Sequence, residues 1–169
     1  EEEFNEEDIK DESPATLFFT KDGYFKKITP LSLRMSGEQK LKEGDEIIEI
    51  IESNNATELL FFSNKCQVYK ARTVDFADSK ASIMGDYIPS KLSFDEAENA
   101  VYMAETTDYS GYMVFVFENG RASKVPMSSY QTKTQRKKLI KAYSEKYALH
   151  SIFHIKEDRE ILLKSSNGR

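Results

Sequence analysis

Val114-Phe-Val-Phe-Glu-Asn-Gly-Arg-Ala-Ser-Lys-Val125 sets an apolar, aromatic and β-branched run ahead of a turn at Asn119-Gly120, with a second short run behind it. Asn-Gly adopts positive φ at little cost, so the stretch predicts a β-hairpin with basic residues just past its turn. The same reading applies to Leu17-Phe-Phe-Thr-Lys-Asp-Gly-Tyr-Phe-Lys-Lys-Ile28, where Asp22-Gly23 is the turn signal. In Leu60-Phe-Phe-Ser-Asn-Lys-Cys-Gln-Val-Tyr-Lys-Ala71 the turn position is filled by Asn64-Lys65-Cys66 without glycine, which predicts a bulged or three-residue connection. A shortened copy, Ile161-Leu-Leu-Lys-Ser-Ser-Asn-Gly-Arg169, ends the chain. Aligned on the turn, Gly23, Cys66, Gly120 and Gly168 share one position, at spacings of 43, 54 and 48 residues. That period predicts repeated supersecondary units, such as propeller blades, that bury their faces against one another.

Between the hairpins lies a second recurrent piece. Glu43-Gly-Asp-Glu-Ile-Ile-Glu-Ile-Ile51, Phe94-Asp-Glu-Ala-Glu-Asn-Ala-Val-Tyr-Met103 and Ala148-Leu-His-Ser-Ile-Phe-His-Ile155 each run from a polar turn into β-branched and aromatic residues. One period then holds three or four short strands, and the fold class expected is all-β, with hairpins near 17–28, 60–71, 114–125 and 161–169. Residues 133–146 are ambiguous: alone they read as an amphipathic helix carrying Leu139, Ile140 and Tyr143, whereas in the repeat register they are a linker and a first strand.

The 169 residues suffice for one domain, and 39% hydrophobic with 12% aromatic content supports a core. The chain does not begin with Met and stops in mid-hairpin at Asn167-Gly168-Arg169, which reads as a piece of something longer. Lacking an apolar run of about 20 residues or a signal peptide, it is not expected in or across a membrane. The single Cys66 permits no internal disulfide and fits a reducing, cytoplasmic setting. The formal charge of −5 conceals segregation: residues 1–13 hold eight acids against Lys10, leaving +2 for residues 14–169. Residues 1–13 read as an acidic tail or linker, or more sharply as a tethered competitor for a basic surface. Residues 121–146 contain eight basic side chains against Glu145 alone.

Candidate chemistry is thin. His150 and His154 have a metal-pair spacing but no Glu, Asp or Cys at partner spacing, so no metal or other cofactor is expected. Glu43, Asp45, Glu46 and Glu49, with Asp95, Glu96 and Glu98, resemble paired carboxylates but sit where turns need polar residues, and a solvated face accounts for them. Seven glycines scattered through turns make no phosphate-cradling loop, Cys66 has no neighbouring base, and no catalytic constellation is present. The basic residues differ: Lys26 and Lys27, Lys70 and Arg72, Arg121 and Lys124, and finally Arg169 follow the turn in successive copies. Equivalent positions on stacked units would form a curved cationic stripe suited to the phosphates of DNA or RNA, with Tyr24, Tyr69 and Tyr130 available either for stacking or for the core. The competing readings are a protein-interaction propeller whose charges only keep it soluble and, with less support, a hydrolase or isomerase.

Phe-Thr-Lys-Asp-Gly-Tyr-Phe-Lys-Lys-Ile (19–28), Leu-Lys-Glu-Gly-Asp-Glu-Ile (41–47), Leu-Leu-Phe-Phe-Ser-Asn-Lys-Cys-Gln-Val-Tyr-Lys-Ala (59–71) and Phe-Glu-Asn-Gly-Arg (117–121) resemble, in order and period, the C-terminal domain of the A subunit of bacterial type IIA DNA topoisomerases, DNA gyrase and topoisomerase IV. The resemblance covers roughly residues 15–169 and implies a β-pinwheel, a propeller-like array whose blades exchange strands, here a partial ring of a little over three blades. It implies a non-catalytic module that binds and bends double-stranded DNA to assist strand passage and supercoiling control. The implied partners are the strand-cleaving core of the same polypeptide and the ATPase B subunit of an ATP-dependent parent enzyme. Lys26, Lys27, Arg34, Lys70, Arg72, Arg121 and Lys124 become the implied phosphate contacts, joined by the basic run Arg136, Lys137 and Lys138. The chain departs from gyrase where gyrase carries Gln-Arg-Arg-Gly-Gly-Lys-Gly, with Arg34-Met-Ser-Gly-Glu-Gln-Lys-Leu-Lys-Glu-Gly44 in its place. A partial echo, Gln135-Arg-Lys-Lys-Leu-Ile-Lys141, follows the third hairpin without the glycines.

Overall fold

Strand β1 (Pro14–Thr20) and strand β2 (Tyr24–Ile28) form the first hairpin, β4 (Glu58–Ser63) and β5 (Val68–Arg72) the second, and β8 (Tyr112–Phe117) and β9 (Ala122–Pro126) the third. These come from a computed structural model that describes residues 12–132 and 138–155. The fourth expected hairpin, 161–169, lies outside the described residues. Each recurrent polar-to-apolar piece becomes a strand against the first strand of its hairpin: β3 (Ile47–Asn54) on β1, β7 (Ala100–Thr106) on β4, and β11 (Leu149–Ile155) on β8.

All three hairpin turns are of one kind. The Gly23 N–H donates to the Thr20 carbonyl at 3.0 Å, Cys66 to Ser63 at 3.3 Å and Gly120 to Phe117 at 3.0 Å. The third loop residue alone takes positive φ, at 96° for Gly23, 60° for Cys66 and 84° for Gly120. The three-residue turn expected for the second hairpin is therefore present, and the same turn replaces the two-residue turns expected at Asp22-Gly23 and Asn119-Gly120. A two-residue type I′ turn would need left-handed backbone at both positions, and Asp22 and Asn119 do not adopt it. Cys66 occupies by backbone geometry the place glycine takes in its sister turns.

The first two sheets are closed from outside their own hairpins. Short strand β6 (Asp86–Tyr87), which follows the second hairpin, pairs with β2 of the first through Phe25↔Asp86 and Tyr24↔Tyr87. Strand β10 (Lys138–Leu139), which follows the third hairpin, pairs with β5 of the second through Tyr69↔Lys138 and Val68↔Leu139. The sheets run β3-β1-β2-β6, β7-β4-β5-β10 and, among the described residues, β11-β8-β9. This is the strand exchange of a β-pinwheel in an otherwise all-β chain, whose helices, among the described residues, are the short α1 (Pro30–Met35) and α2 (Ile88–Lys91) and two single 3₁₀ turns. Of the ambiguous stretch, the described part (138–146) is a two-residue strand and turns rather than a helix; residues 133–137 lie outside the described residues.

The chain divides into two compact units, residues 1–107 with 132–146 and residues 108–131 with 147–169. In the first unit, β1 is buried on both faces, which is why its pattern is a continuous apolar run rather than an alternation. Leu17 and Phe19 enter a core with Phe25, Leu59, Phe61, Tyr69, Phe76, Ile88 and Met103, while Phe18 joins Ile28 and Ala81 on the other side. Phe61 stands 5.8 Å from the rings of both Phe19 and Phe25, and Phe25 stands 4.6 Å from Phe76, so the first two sheets meet through aromatic edges and faces. In the second unit, Met113, Phe115 and Phe117 are buried along one side of β8, with Met127, Tyr130 and Ile152 also buried.

Close approach at the strand exchange is possible because Gly85 precedes β6. Its φ is +96°, and a Cβ there would overlap the Phe25 carbonyl oxygen and Lys26 Cγ, whereas a Cβ on Gly120 would meet nothing within 4 Å. Gly85→Ala should destabilise the protein by roughly 2–4 kcal/mol, combining backbone strain with overpacking. Gly120→Ala should cost about 1 kcal/mol, from the backbone alone. Urea denaturation midpoints of the two variants check the contrast, and equal losses would mean that Gly85 is not a contact point.

Candidate nucleic-acid interface

Direct cross-strand partners share a face of an antiparallel pair, and neighbours along a strand alternate faces. Lys27 lies opposite Leu17, Lys70 opposite Leu60 and Lys124 opposite Val114, so these three lysines occupy one repeat position, four residues after Gly23, Cys66 and Gly120. Lys26 lies opposite Phe18 and therefore points to the other face of its hairpin.

Lys26 and Lys27 require a correction. Lys26 is 1% exposed, and its ammonium donates to the carbonyls of Lys40 at 3.2 Å and Ala81 at 3.3 Å. Burial pushes its pKa down. Lys27 is 4% exposed and donates to Asn55 Oδ1 at 2.8 Å and the Thr73 carbonyl at 3.2 Å, with Asp78 at 3.7 Å. Both ammonium groups are held by protein oxygen acceptors, and neither presents itself to a phosphate in this conformation. A doublet of lysines just past a turn looks like surface in a sequence; a hairpin covered on both faces turns it inward.

The other expected contacts lie differently. Lys70 is half-buried and donates to Thr132 Oγ1 at 3.1 Å, with its pKa lowered by burial against a smaller opposing pull from Glu58. Arg72 is exposed at the end of β5 and pairs with Asp75 through two contacts of 3.2 and 3.1 Å, a surface pair weak enough to exchange for another anion. Arg34, exposed in the last turn of α1, borders an open groove with Pro14, Thr16 and Glu52. Lys138 is exposed on β10, 3.0 Å from Asp95 and over the Tyr69 ring. Arg136 and Lys137 lie outside the described residues.

In the second unit, Arg121 is exposed over the Tyr147 ring at 5.6 Å and Lys124 over the Tyr112 ring at 4.5 Å. Arg121 is placed opposite Phe117 and Lys124 opposite Val114, so the two sit on opposite faces of the third hairpin. The expectation that the two form part of a single stripe does not follow from strand geometry.

Sequence reading missed one pair. The Lys40 N–H donates to the Ala81 carbonyl at 2.7 Å, which joins the backbone of exposed Lys40 to the residue that follows exposed Lys80. Forty residues separate the two lysines, and no local pattern signals the contact; the Lys26 ammonium donates to the carbonyls of both Lys40 and Ala81.

The acidic turns also divide. Asp45 Oδ1 accepts the backbone N–H groups of Asp22 at 2.9 Å and Glu46 at 2.8 Å, tying the first hairpin turn to the loop before β3. Glu98, expected on a solvated face, is 3% exposed and receives Ser63 Oγ, Gln67 Nε2 at 2.8 Å, Tyr69 OH at 2.6 Å and the Asp95 N–H at 2.9 Å. Four donors make this a structural carboxylate locking the second hairpin. No group of three or more His, Cys, Asp or Glu able to hold a metal occurs among the described residues, and no described helix is long and apolar enough to cross a membrane.

No protein-family model matches the chain. Among curated proteins it is 27% identical to the A subunit of DNA gyrase from Streptomyces coelicolor over 75% of this chain and 16% of that protein. It is 26% identical to the A subunit of DNA topoisomerase 4 from Bacillus subtilis over 72% of this chain and 16% of that one. Against the corresponding topoisomerase 4 protein of Staphylococcus aureus the values are 25% identity over 90% and 20%. The chain thus spans about one-sixth to one-fifth of these relatives. In structure it superposes on the C-terminal domain of DNA topoisomerase IV with TM-score 0.73, at 23% identity over 86% of this chain and 46% of that one. The E. coli ParC C-terminal domain gives 0.63 at 12% identity, over 86% and 58%, and the DNA gyrase A C-terminal domain 0.52 at 15%, over 86% and 49%.

The interface electrostatics carry one measurable signature. Burial raises the phenol pKa of Tyr69, Tyr130 and Tyr143, with the neighbouring Glu98 carboxylate adding to the effect at Tyr69. Tyr69, Tyr130 and Tyr143 should stay silent in an absorbance titration through pH about 10 and appear only on unfolding. Because their folded values lie above the unfolded one, the stability they contribute is full below about pH 10 and declines as pH rises past it. Ionisation of all nine phenols in one step on the folded protein would contradict the burial described.

Proposed function

We propose that this chain, a relative of the A subunits of bacterial type IIA topoisomerases, is the duplex-DNA-binding and bending module of such a protein. The observation carrying the reading is a strand-exchanged β-pinwheel whose solvent-facing cations, Arg34, Arg72, Arg121, Lys124 and Lys138, stand on hairpins, helix ends and exchanged strands, joined by Lys40 and Lys80. Arg136 and Lys137 belong to the same proposed set by sequence. Such contacts neutralise phosphates and set register without reading bases. Several must act together, because bending 20–30 base pairs smoothly costs on the order of 1–6 kcal/mol.

Strand cleavage and ATP use are assigned to other parts of the parent enzyme, and the partners proposed are the cleavage core of the same polypeptide and the separate ATPase subunit, in the cytoplasm. The competing reading, a protein-interaction module, would leave duplex binding absent or independent of salt.

Titrating duplex DNA at increasing salt should give log K falling with log salt at about −4 to −6 for five to seven contacts, near −0.9 for each. Arg72→Ala and Arg121→Ala should each make the slope shallower by about 0.9 with little sequence preference. A slope near zero would remove the electrostatic mechanism.

A further inference from the structure

We infer that the lysine repeated once per hairpin acts, in the first two repeats, as a strap that fastens the following repeat's crossing segment, and is a positioning residue rather than a phosphate ligand. The inference goes beyond the DNA-binding reading and does not depend on it. Its basis is a coincidence of register in three dimensions. Lys27 lies four residues after Gly23, and its ammonium reaches forward past the second hairpin to the Thr73 carbonyl and toward Asp78. Lys70 lies four residues after Cys66, and its ammonium donates to Thr132 Oγ1, which follows the third hairpin in sequence. Asp78 is twelve residues after Cys66, and Thr132 is twelve residues after Gly120. The lysines hold equivalent positions, and so do Asp78 and Thr132 in successive repeats, although Asp78 is an ion-pair partner at 3.7 Å and the hydrogen bonds of Lys27 go to Thr73 and Asn55.

The strapped segment is the one that goes on to supply the exchanged strand. Residues 73–80 lead to β6, which completes the first sheet, and residue 132 leads to β10, which completes the second. Lys27 also holds the crossing segment through the backbone: the Ser79 N–H donates to the Lys27 carbonyl at 2.7 Å, so main chain and side chain of one residue grip the same segment. Asn55 closes the arrangement by accepting from the Lys27 ammonium at 2.8 Å. An exchanged strand of two residues brings few ladder hydrogen bonds of its own, and a buried ammonium with several oxygen acceptors anchors the chain just ahead of it. In the third hairpin the same position, Lys124, is exposed, so the repeated lysine does not carry one role throughout.

The test compares amide hydrogen exchange with the salt dependence of duplex binding in the whole chain. Lys27→Met should speed exchange of the Phe76 and Ser79 amides at least tenfold, while leaving the slope of log K against log salt unchanged. Lys70→Met should do the same for the Leu139 amide on β10. Asn55→Ala and Thr132→Val, which remove acceptors and keep the lysines, should reproduce the respective exchange patterns and serve where a lysine variant does not fold. Arg121→Ala should show the reverse, a shallower slope with exchange unaltered at these amides. Native exchange rates in Lys27→Met, or at Leu139 in Thr132→Val, or a slope shallower by about one phosphate contact in Lys27→Met, would overturn the strap. Failure of every form to bind DNA would sink the functional reading and leave the exchange result to decide this one.

Discussion

A sheet that borrows its last strand from the next repeat cannot be completed alone, and this dependence governs the first unit. Strand β2 finds its outer partner in Asp86–Tyr87 and β5 finds its own in Lys138–Leu139. Each donated strand is two residues long, so the ladder bonds are few and the segment must be positioned by other means. Those means are visible: a glycine at positive φ that lets backbone touch backbone at Phe25, buried lysines that collect carbonyl oxygens, and an aromatic core shared by the first two sheets.

That dependence also sets where charge can point. When a hairpin is covered on one face by core and on the other by a crossing segment, the basic residues of its second strand have no solvent to enter. Lys26 and Lys27 resolve this by becoming internal hydrogen-bond donors, each to two protein oxygens. Lys70 is intermediate, and Lys124, at the corresponding position, is exposed. One repeat position therefore spans the range from buried strap to surface cation, decided by what lies over it. The cations that do face solvent owe their orientation to aromatic rings and weak surface pairs: Tyr147 under Arg121, Tyr112 under Lys124, Tyr69 under Lys138, and Asp75 beside Arg72. Such supports orient a cation and leave it accessible to a stronger anion.

The acidic turns complete the picture from the opposite sign. Asp45 accepts two backbone N–H groups at the first turn, and Glu98 gathers four donors around the second hairpin. Both carboxylates are bound to the hairpins they stabilise. This places Asp45 and Glu98 in the framework of a chain that resembles the C-terminal domains of gyrase and topoisomerase IV in sequence and in fold.

Local chemistry determined the hairpins. Apolar runs around Asp22-Gly23, Asn64-Lys65-Cys66 and Asn119-Gly120, at a period of 43 to 54 residues, define all-β repeats, because turn preference and strand patterning act between near neighbours. The identity of the basic positions was equally legible. What only the tertiary structure decided was that the turns at Gly23 and Gly120 match the three-residue turn at Cys66 and, at long range, that β6 and β10 cross to other hairpins, that Glu98 is buried, and that the Lys40 backbone bonds to Ala81. The direction of Lys26 and Lys27 belongs to that second class. A side chain's solvent exposure depends on the segment packed over it, here residues 73 to 81, some fifty residues further along the chain, and no pattern local to the hairpin records that arrival.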